Sequence, residues 1–362
     1  MKAKLIFIIC LLPLVVGAQK VTQFDIQKGI NISAWLSQTS VNSGPAREAY
    51  FTQKDLNQLA KLGFDHIRIP VSEYQMYTKD GLRNEETFKL IHNVIEWCKQ
   101  ANMRVIFDCH QTYDHDFSKY SSIVLFSDMK SHDRFLTLWT KLSDELKKYP
   151  NELVAYEILN EPNAKDNKSW NIISSKILKL LRKLEPNRVL ILGSNKANKP
   201  YTFPDLEIPS DDPNIILSFH FYYPYLITHN QASFMKSIST IKVPLNYPGQ
   251  LVADSVINRL EGDAKATVEK NNGVFDRAKL LELMQPAIDI AKKKGLRLHC
   301  GEFGSNFKYE DRSLQLRWME DMVSIFKEYK IPFSVWGYRK EFGVFNDAKQ
   351  IKDEKYLQAL LK

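Results

Sequence analysis

The chain has little cysteine, and what it has does not pair. Four cysteines occur in 362 residues. Cys10 lies in an apolar leader, which leaves Cys98, Cys109 and Cys300, and an odd number sets no disulfide framework. Cys109 and Cys300 fall in apolar, strand-like runs, where a free thiol behaves as a small hydrophobe. No run of about 20 apolar residues is present, so no segment has the length of a membrane span. The net charge is +8, but the lysines are scattered, as in Lys147-Lys148 and Lys292 to Lys294. They form no basic stripe with stacking aromatics, which argues against a nucleic-acid partner. No glycine-rich phosphate turn follows the first strand-like run, Gly29-Ile30-Asn31-Ile32, which argues against a doubly wound dinucleotide fold. No His-x-His pair stands on an early strand, so a metal-dependent hydrolase lacks its ligand set, and no cofactor is expected. Neither a linker nor an internal repeat divides the chain.

Residues 1–18 read as a secretory leader. Lys2 and Lys4 form a basic start, Leu5 to Val16 is apolar but too short to span a bilayer, and Val16-Gly17-Ala18 offers small residues for cleavage after Ala18. Ile8-Ile9 before Cys10 does not fit lipid attachment. The expectation is an exported protein, periplasmic or extracellular, with residues 19–362 as one catalytic unit and a monomer.

Through those residues strand-like and helix-like segments alternate. Strands are expected within Gly29–Ala34, His66–Val71, Arg104–His110, Leu153–Asn160, Arg188–Gly193, Ile215–Tyr222, Arg297–Gly301 and Pro332–Gly337. Helical spacing occupies Thr52–Leu62, Asn84–Asn102, His132–Tyr149, Ser169–Leu184, Asp276–Lys294, Ser313–Tyr329 and Asp353–Leu361, with Pro286 placed to kink or split the fifth. Eight strands alternating with helices imply a parallel sheet, and eight is the number that closes a (β/α)8 barrel. The fold class expected is α/β, a single TIM barrel. The alternation breaks over 223–272, a long insertion after the sixth strand with no clean period. Such a segment either shapes a site or packs as a structural addition.

Polar and aromatic residues recur at the C-terminal ends of these strands, the face where barrel active sites form. Arg68 lies in the second strand, and Asp108 and His110 end the third. Asn160 and Glu161 end the fourth, where Pro162 disfavours further regular structure. His220 and Tyr222 end the sixth, Glu302 the seventh and Trp336 the eighth. Two carboxylates across a barrel mouth suit glycosidic bond cleavage, one protonated to serve the leaving oxygen and one ionised. Repulsion between them helps one keep its proton. Arg68 near Glu302 favours the ionised form there. Imidazoles and an amide bind hydroxyls, and aromatic rings stack on pyranose faces.

Taken together, Gly29-Ile30-Asn31, Phe64-Asp65-His66-Ile67-Arg68-Ile69-Pro70, Asp108-Cys109-His110, Glu157-Ile158-Leu159-Asn160-Glu161-Pro162, His220-Phe221-Tyr222, Gly301-Glu302-Phe303-Gly304 and Ser334-Val335-Trp336 resemble the cellulase-type members of glycoside hydrolase family 5. The resemblance covers most of the chain after the leader. It implies a retaining hydrolase of β-linked polysaccharide, with Glu161 as acid/base and Glu302 as nucleophile. It implies that Asn160 meets the sugar 2-hydroxyl, that Arg68 and Tyr222 hold Glu302, that His110 and His220 line the subsite, and that Trp336 forms its floor. Trp35 resembles a further subsite aromatic, set against core packing. Asp108 and Glu157 are expected to be structural acids paired within the barrel, and Trp97, Trp139 and Trp318 to pack on helices. β-1,4-glucan is the substrate the resemblance points to first, with mannan, xyloglucan or another β-glycan second. A glycan-binding barrel without catalysis is the reading from a different class.

Overall fold

The computed structural model describes residues 19–116, 123–308 and 312–362. The expected leader lies outside the described residues. Eight parallel strands close a barrel: β1 (Lys28–Asn31), β2 (His66–Ser72), β3 (Arg104–Gln111), β4 (Val154–Glu157), β5 (Leu190–Gly193), β6 (Ile215–Phe221), β7 (Arg297–Phe303) and β8 (Phe333–Val335). Each strand pairs with its sequence neighbours, and β1 closes the ring against β8. Helices α1 (Gln53–Leu62), α2 (Glu85–Gln100), α3 (Met129–Leu146), α4 (Asn167–Leu184), α5 (Arg277–Lys294), α6 (Ser313–Tyr329) and α7 (Glu354–Leu361) form the outer layer.

Side-chain alternation along a strand, with its period of two, divides the core. Ile67, Ile69 and Val71 of β2, Val105 and Phe107 of β3, and Leu217, Phe219 and Phe221 of β6 belong to the large cluster shared with the helices. A second cluster, Phe24, Ile26, Ile106, Ala155, Val189, Ile191 and Ile216, contains the intervening residues of β3, β4 and β6 and plugs the barrel's N-terminal end. Above that plug the same inward register brings Arg68, Asp108, Glu157 and His220. Register places Asn31 beside Arg68, Asp108 beside Glu157, and His220 beside Glu302. Apolar below and polar above is therefore written into alternate positions of the same strands.

The helix ends follow local chemistry. Thr52 and Asp55 form a reciprocal capping box on α1, and Gly63 ends it in the left-handed region at φ 100°. Asp128, Asp166, Asp276 and Asp353 cap α3, α4, α5 and α7 through their carboxylates. The capping by Asp128 starts α3 three residues before His132. Helix α5 runs unbroken through Pro286 rather than splitting there. Strand β4 stops at Glu157, three residues short of Asn160, while β7 extends through Glu302 to Phe303.

The insertion after β6 is made of short helices and a two-stranded ribbon, Gly249–Gln250 against Val274–Phe275. It is fastened to α6: Tyr247 Oη donates to Asp321 at 2.6 Å, and Arg317 Nε donates to the Tyr247 carbonyl at 2.8 Å. Trp318 Nε1 donates to the Tyr223 carbonyl at 2.9 Å. Its first turn also reaches the barrel mouth, where His229 and Phe234 pack on Phe342, whose ring meets that of Tyr222. Both expectations for this segment are therefore partly met: it is packed, and one end borders the mouth.

Candidate active site

A guanidinium has five N–H groups and no acceptor. Arg68, fully buried in β2, places all five. Nε and Nη2 form a fork on Glu157 at 2.7 and 2.9 Å. Nη1 donates to Asn31 Oδ1 and to Glu302 Oε1, both at 2.8 Å, and Nη2 also donates to Asn160 Oδ1 at 2.8 Å. Asp108 lies 3.1 Å from Nη2. Asn31 is held in turn by donating to the carbonyls of Gly301 and Ser334, each at 3.0 Å. So Asp108 and Glu157 are paired inside the barrel, and the guanidinium bridges strands β1 to β4 and β7.

Glu302 is gripped on both oxygens: Arg68 on Oε1, and Tyr222 Oη on Oε2 at 3.0 Å. Its side chain is 6% exposed. Burial raises its pKa, and His220 and Arg68 oppose that rise. Glu161 differs. It follows β4 in the left-handed region at φ 42°, which a non-glycine residue adopts only where its surroundings hold it. Its side chain is 19% exposed, and its Oε1 lies 2.9 Å from His220 Nδ1. Burial lifts its pKa to about 7, against the lowering effects of His110, Arg68 and Lys199. The two carboxylates thus face the same space with different protonation tendencies. Burial holds His110 and His220 neutral near pH 7, with pKa values lowered to about 3 and about 4.

His110 Nδ1 is 2.6 Å from Asp108 Oδ2, and its ring stacks on Trp336 with centroids 5.8 Å apart and planes 7° from parallel. Trp336 is half-buried. Asn160 Oδ1 faces Arg68, which leaves its amide NH2 as the donor for a ligand. Every expected site residue gathers here except Trp35. That ring is 1% exposed, packs on Phe51, and its indole N–H donates to the Arg47 carbonyl at 2.8 Å. With no open face it cannot stack on a sugar, so Trp35 belongs to the core. Trp139 and Trp318 are buried in helix packing, as expected, and Cys98, Cys109 and Cys300 are free and buried.

Glu161, His220 and Glu302 each offer one ligand atom, and these atoms lie within 4.8 Å of one another. A cation could be fitted to that triangle by distance alone. Arg68 already places a positive charge 2.8 Å from Glu302, which disfavours a second.

Two features escaped sequence reasoning. Asn31 was visible only as part of Gly29-Ile30-Asn31, without a role. After β5, Lys196 (φ 56°, ψ 50°), Ala197 (φ 62°, ψ 47°) and Asn198 (φ 54°) are consecutive left-handed residues. Each L-residue there costs roughly 1–2 kcal/mol, less for Asn. The turn is bonded to the loop after Glu161: Ala197 N–H donates to the Pro162 carbonyl at 2.9 Å, and Lys196 Nζ to the Ala164 carbonyl at 2.7 Å. Asparagines 195 and 198, tolerant of this region, were the available signal.

Arg68→Met would leave Asp108, Glu157 and Glu302 buried without their common partner. The expected cost is about 3–5 kcal/mol of stability, read as a lower midpoint in equilibrium urea unfolding.

Residues 26–341 match the family model described as cellulase (glycosyl hydrolase family 5). Endoglucanase C of Acetivibrio thermocellus is 32% identical over 337 residues, spanning 91% of this chain and 96% of that protein. Cellodextrinase A of Ruminococcus flavefaciens is 28% identical, over 88% and 85% respectively. In fold, the structure of endoglucanase Cel5A from Thermotoga maritima superposes with a TM-score of 0.71 at 22% identity, covering 92% of this chain and 96% of that one. The chain belongs to glycosyl hydrolase family 5, the cellulase family.

Proposed function

We propose that this glycoside hydrolase is a retaining endo-β-1,4-glucanase in which Glu302 is the nucleophile and Glu161 the acid/base. The observation that carries the reading is the spacing. One oxygen of Glu161 and one of Glu302 lie within 4.8 Å of each other, and His220 Nδ1 stands 2.9 Å from Glu161 Oε1 and 3.6 Å from Glu302 Oε2. Retaining enzymes hold their carboxyl groups about 5–5.5 Å apart, whereas inverting ones leave about 6.5–9.5 Å for a water. The name and coverage of the Acetivibrio relative support the glucan assignment.

In this reading Glu302 attacks the anomeric carbon while Glu161 protonates the departing oxygen. Arg68 and Tyr222 fix the attacking carboxylate, and the amide of Asn160 donates to the sugar hydroxyl next to the reacting carbon. His110 and His220, both neutral, line the subsite, and the half-buried Trp336 supports the ring. Forming the covalent glycosyl-enzyme removes the charge of Glu302. The pKa of Glu161 then falls, and it takes a proton from the water that releases the sugar. The proton that Glu161 gives to the leaving oxygen in the first half is replaced in the second by one taken from the attacking water.

We further propose that the chain is exported, on the basic start and short apolar run of residues 1–18. N-terminal sequencing of protein recovered outside the cytoplasm should begin at Gln19, and an intact Met1 there would reject the cleavage.

Three measurements test the chemistry. Glu302→Gln should remove release of reducing sugar from β-glucan, and Glu161→Gln should lower it by about 10²–10⁴-fold. NMR of the first products should show the β anomer. For natural glucan, kcat/KM should fall as pH rises through about 7, where Glu161 loses its proton. That limb should vanish for an aryl glycoside whose leaving group needs no proton. Inverted product, or unchanged hydrolysis by Glu302→Gln, would reject the assignment. Binding of glucan without hydrolysis of any β-glycan would favour a non-catalytic barrel, and faster hydrolysis of mannan would change the substrate.

A further inference from the structure

We infer that Asn198 is a positioning residue for proton transfer: it fixes the tautomer of His220, and so decides which oxygen of Glu161 carries the acidic proton. The inference rests on the reading of Glu161 as acid/base.

The geometry is a relay of three side chains from three strand ends. Glu161 Oε1 lies 2.9 Å from His220 Nδ1. The other ring nitrogen, Nε2, lies 3.4 Å from Asn198 Nδ2. The amide is oriented with its nitrogen toward Nε2 and its Oδ1 buried without a hydrogen-bond partner among the described residues; in that orientation it donates, so Nε2 is the acceptor. A neutral imidazole has one N–H, which must then sit on Nδ1 and point at Glu161 Oε1. An oxygen that receives an N–H is the poorer place for a proton. The proton of Glu161 is directed to Oε2, away from the imidazole.

The opposite tautomer would reverse this. With hydrogen on Nε2, Nδ1 becomes an acceptor, and protonated Glu161 would donate to the imidazole. The acid would hold its proton and spend it on a neighbour rather than on the glycosidic oxygen.

The surroundings place Asn198 for this task. It ends the left-handed turn of residues 196–198, which is bonded through Ala197 to the carbonyl of Pro162, the residue after Glu161. Asn195 Oδ1 accepts from the Ala164 N–H at 2.8 Å, a second tie between the turn and that loop. The Asn198 amide lies over Gly193, where a Cβ would come within 2.1 Å of Oδ1. Only glycine at the end of β5 leaves room for it. The charged and titratable groups around the relay include Arg68 on β2, Asp108 and His110 on β3, Glu157 on β4, Lys199 after β5, Tyr222 after β6, and His299 and Glu302 on β7. They set the field at Glu161 and His220. Asn198 supplies the directional contact at Nε2.

The test is ¹⁵N NMR of the histidine rings together with rates on two substrates. In the wild-type protein at pH 8, His220, assigned by difference against His220→Asn, should show a protonated Nδ1 and a bare Nε2. Asn198→Asp replaces the donor by an acceptor and should invert that tautomer. Hydrolysis of β-glucan should then fall about tenfold or more. The burst from an activated aryl cellobioside, which needs no proton from Glu161, should change less than twofold. Asn198→Gly keeps the positive φ without strain, guards against misfolding of the Asp variant, and should show mixed tautomers with a smaller selective loss. A structural role would depress both substrates equally, and that result overturns the inference, as does a wild-type His220 protonated at Nε2. Glu161→Gln is run alongside. Should it show no selective loss on glucan, the acid/base reading itself fails. Should it show that loss while both Asn198 variants do not, only the relay fails.

Discussion

A guanidinium sealed inside a barrel must find an oxygen for every N–H, and Arg68 finds five from four residues on or just after β1, β4 and β7. Removing a charge from water costs several kcal/mol unless partners replace the solvent. Here the replacement is over-supplied. Asp108, Glu157 and Glu302 all face one cation, and burial pushes Asp108 up to about 7 and Glu157 above the usual carboxylate range. The excess of negative charge at the mouth is what makes a shared proton possible. The same cation orients Asn160 and Glu302, so the group that makes the interior tolerable also fixes the groups proposed to meet the sugar.

The two carboxylates differ because their anchors differ. Glu302 lies within a strand, in register with His220, and both its oxygens are held by donors. Glu161 sits beyond its strand in a left-handed backbone, with one oxygen against an imidazole and its side chain 19% exposed. A carboxylate fixed at both oxygens keeps one position through a reaction. One held at a single oxygen can give and take a proton. The asymmetry that the proposed acid/base and nucleophile require therefore comes from backbone placement as much as from charge. The insertion adds a border of aromatic side chains, with Phe234 64% exposed beside Phe342.

The barrel was legible because buried parallel strands need short β-branched runs, and eight of those recur between helices with clear caps. The rim was legible because polar residues ending such runs have no structural reason to be there in number. Strand limits were less so: Ile158 and Leu159 are as apolar as Val154, yet the regular strand ends at Glu157, with Ile158 and Asn160 still donating to the Ile191 and Cys109 carbonyls as the chain turns toward Pro162. Trp35 misled because an aromatic after a strand reads the same whether its ring faces the mouth or Phe51. The left-handed turn at 196–198 was hidden for a different reason. Lysine and alanine disfavour that conformation, and bonds to the carbonyls of Pro162, Ala164 and Lys165, distant in sequence, hold them there.

Family membership fixes the fold and the class of reaction. The claim that stands furthest out is that Glu302 bonds covalently to the sugar. An activated 2-deoxy-2-fluoro cellobioside slows release of the glycosyl-enzyme, and mass spectrometry of a protease digest then locates the label. The account predicts one added glycosyl group, on the peptide carrying Glu302, with loss of activity in proportion to labelling. A label on Glu161 or elsewhere, or full inactivation without any covalent adduct, would contradict it.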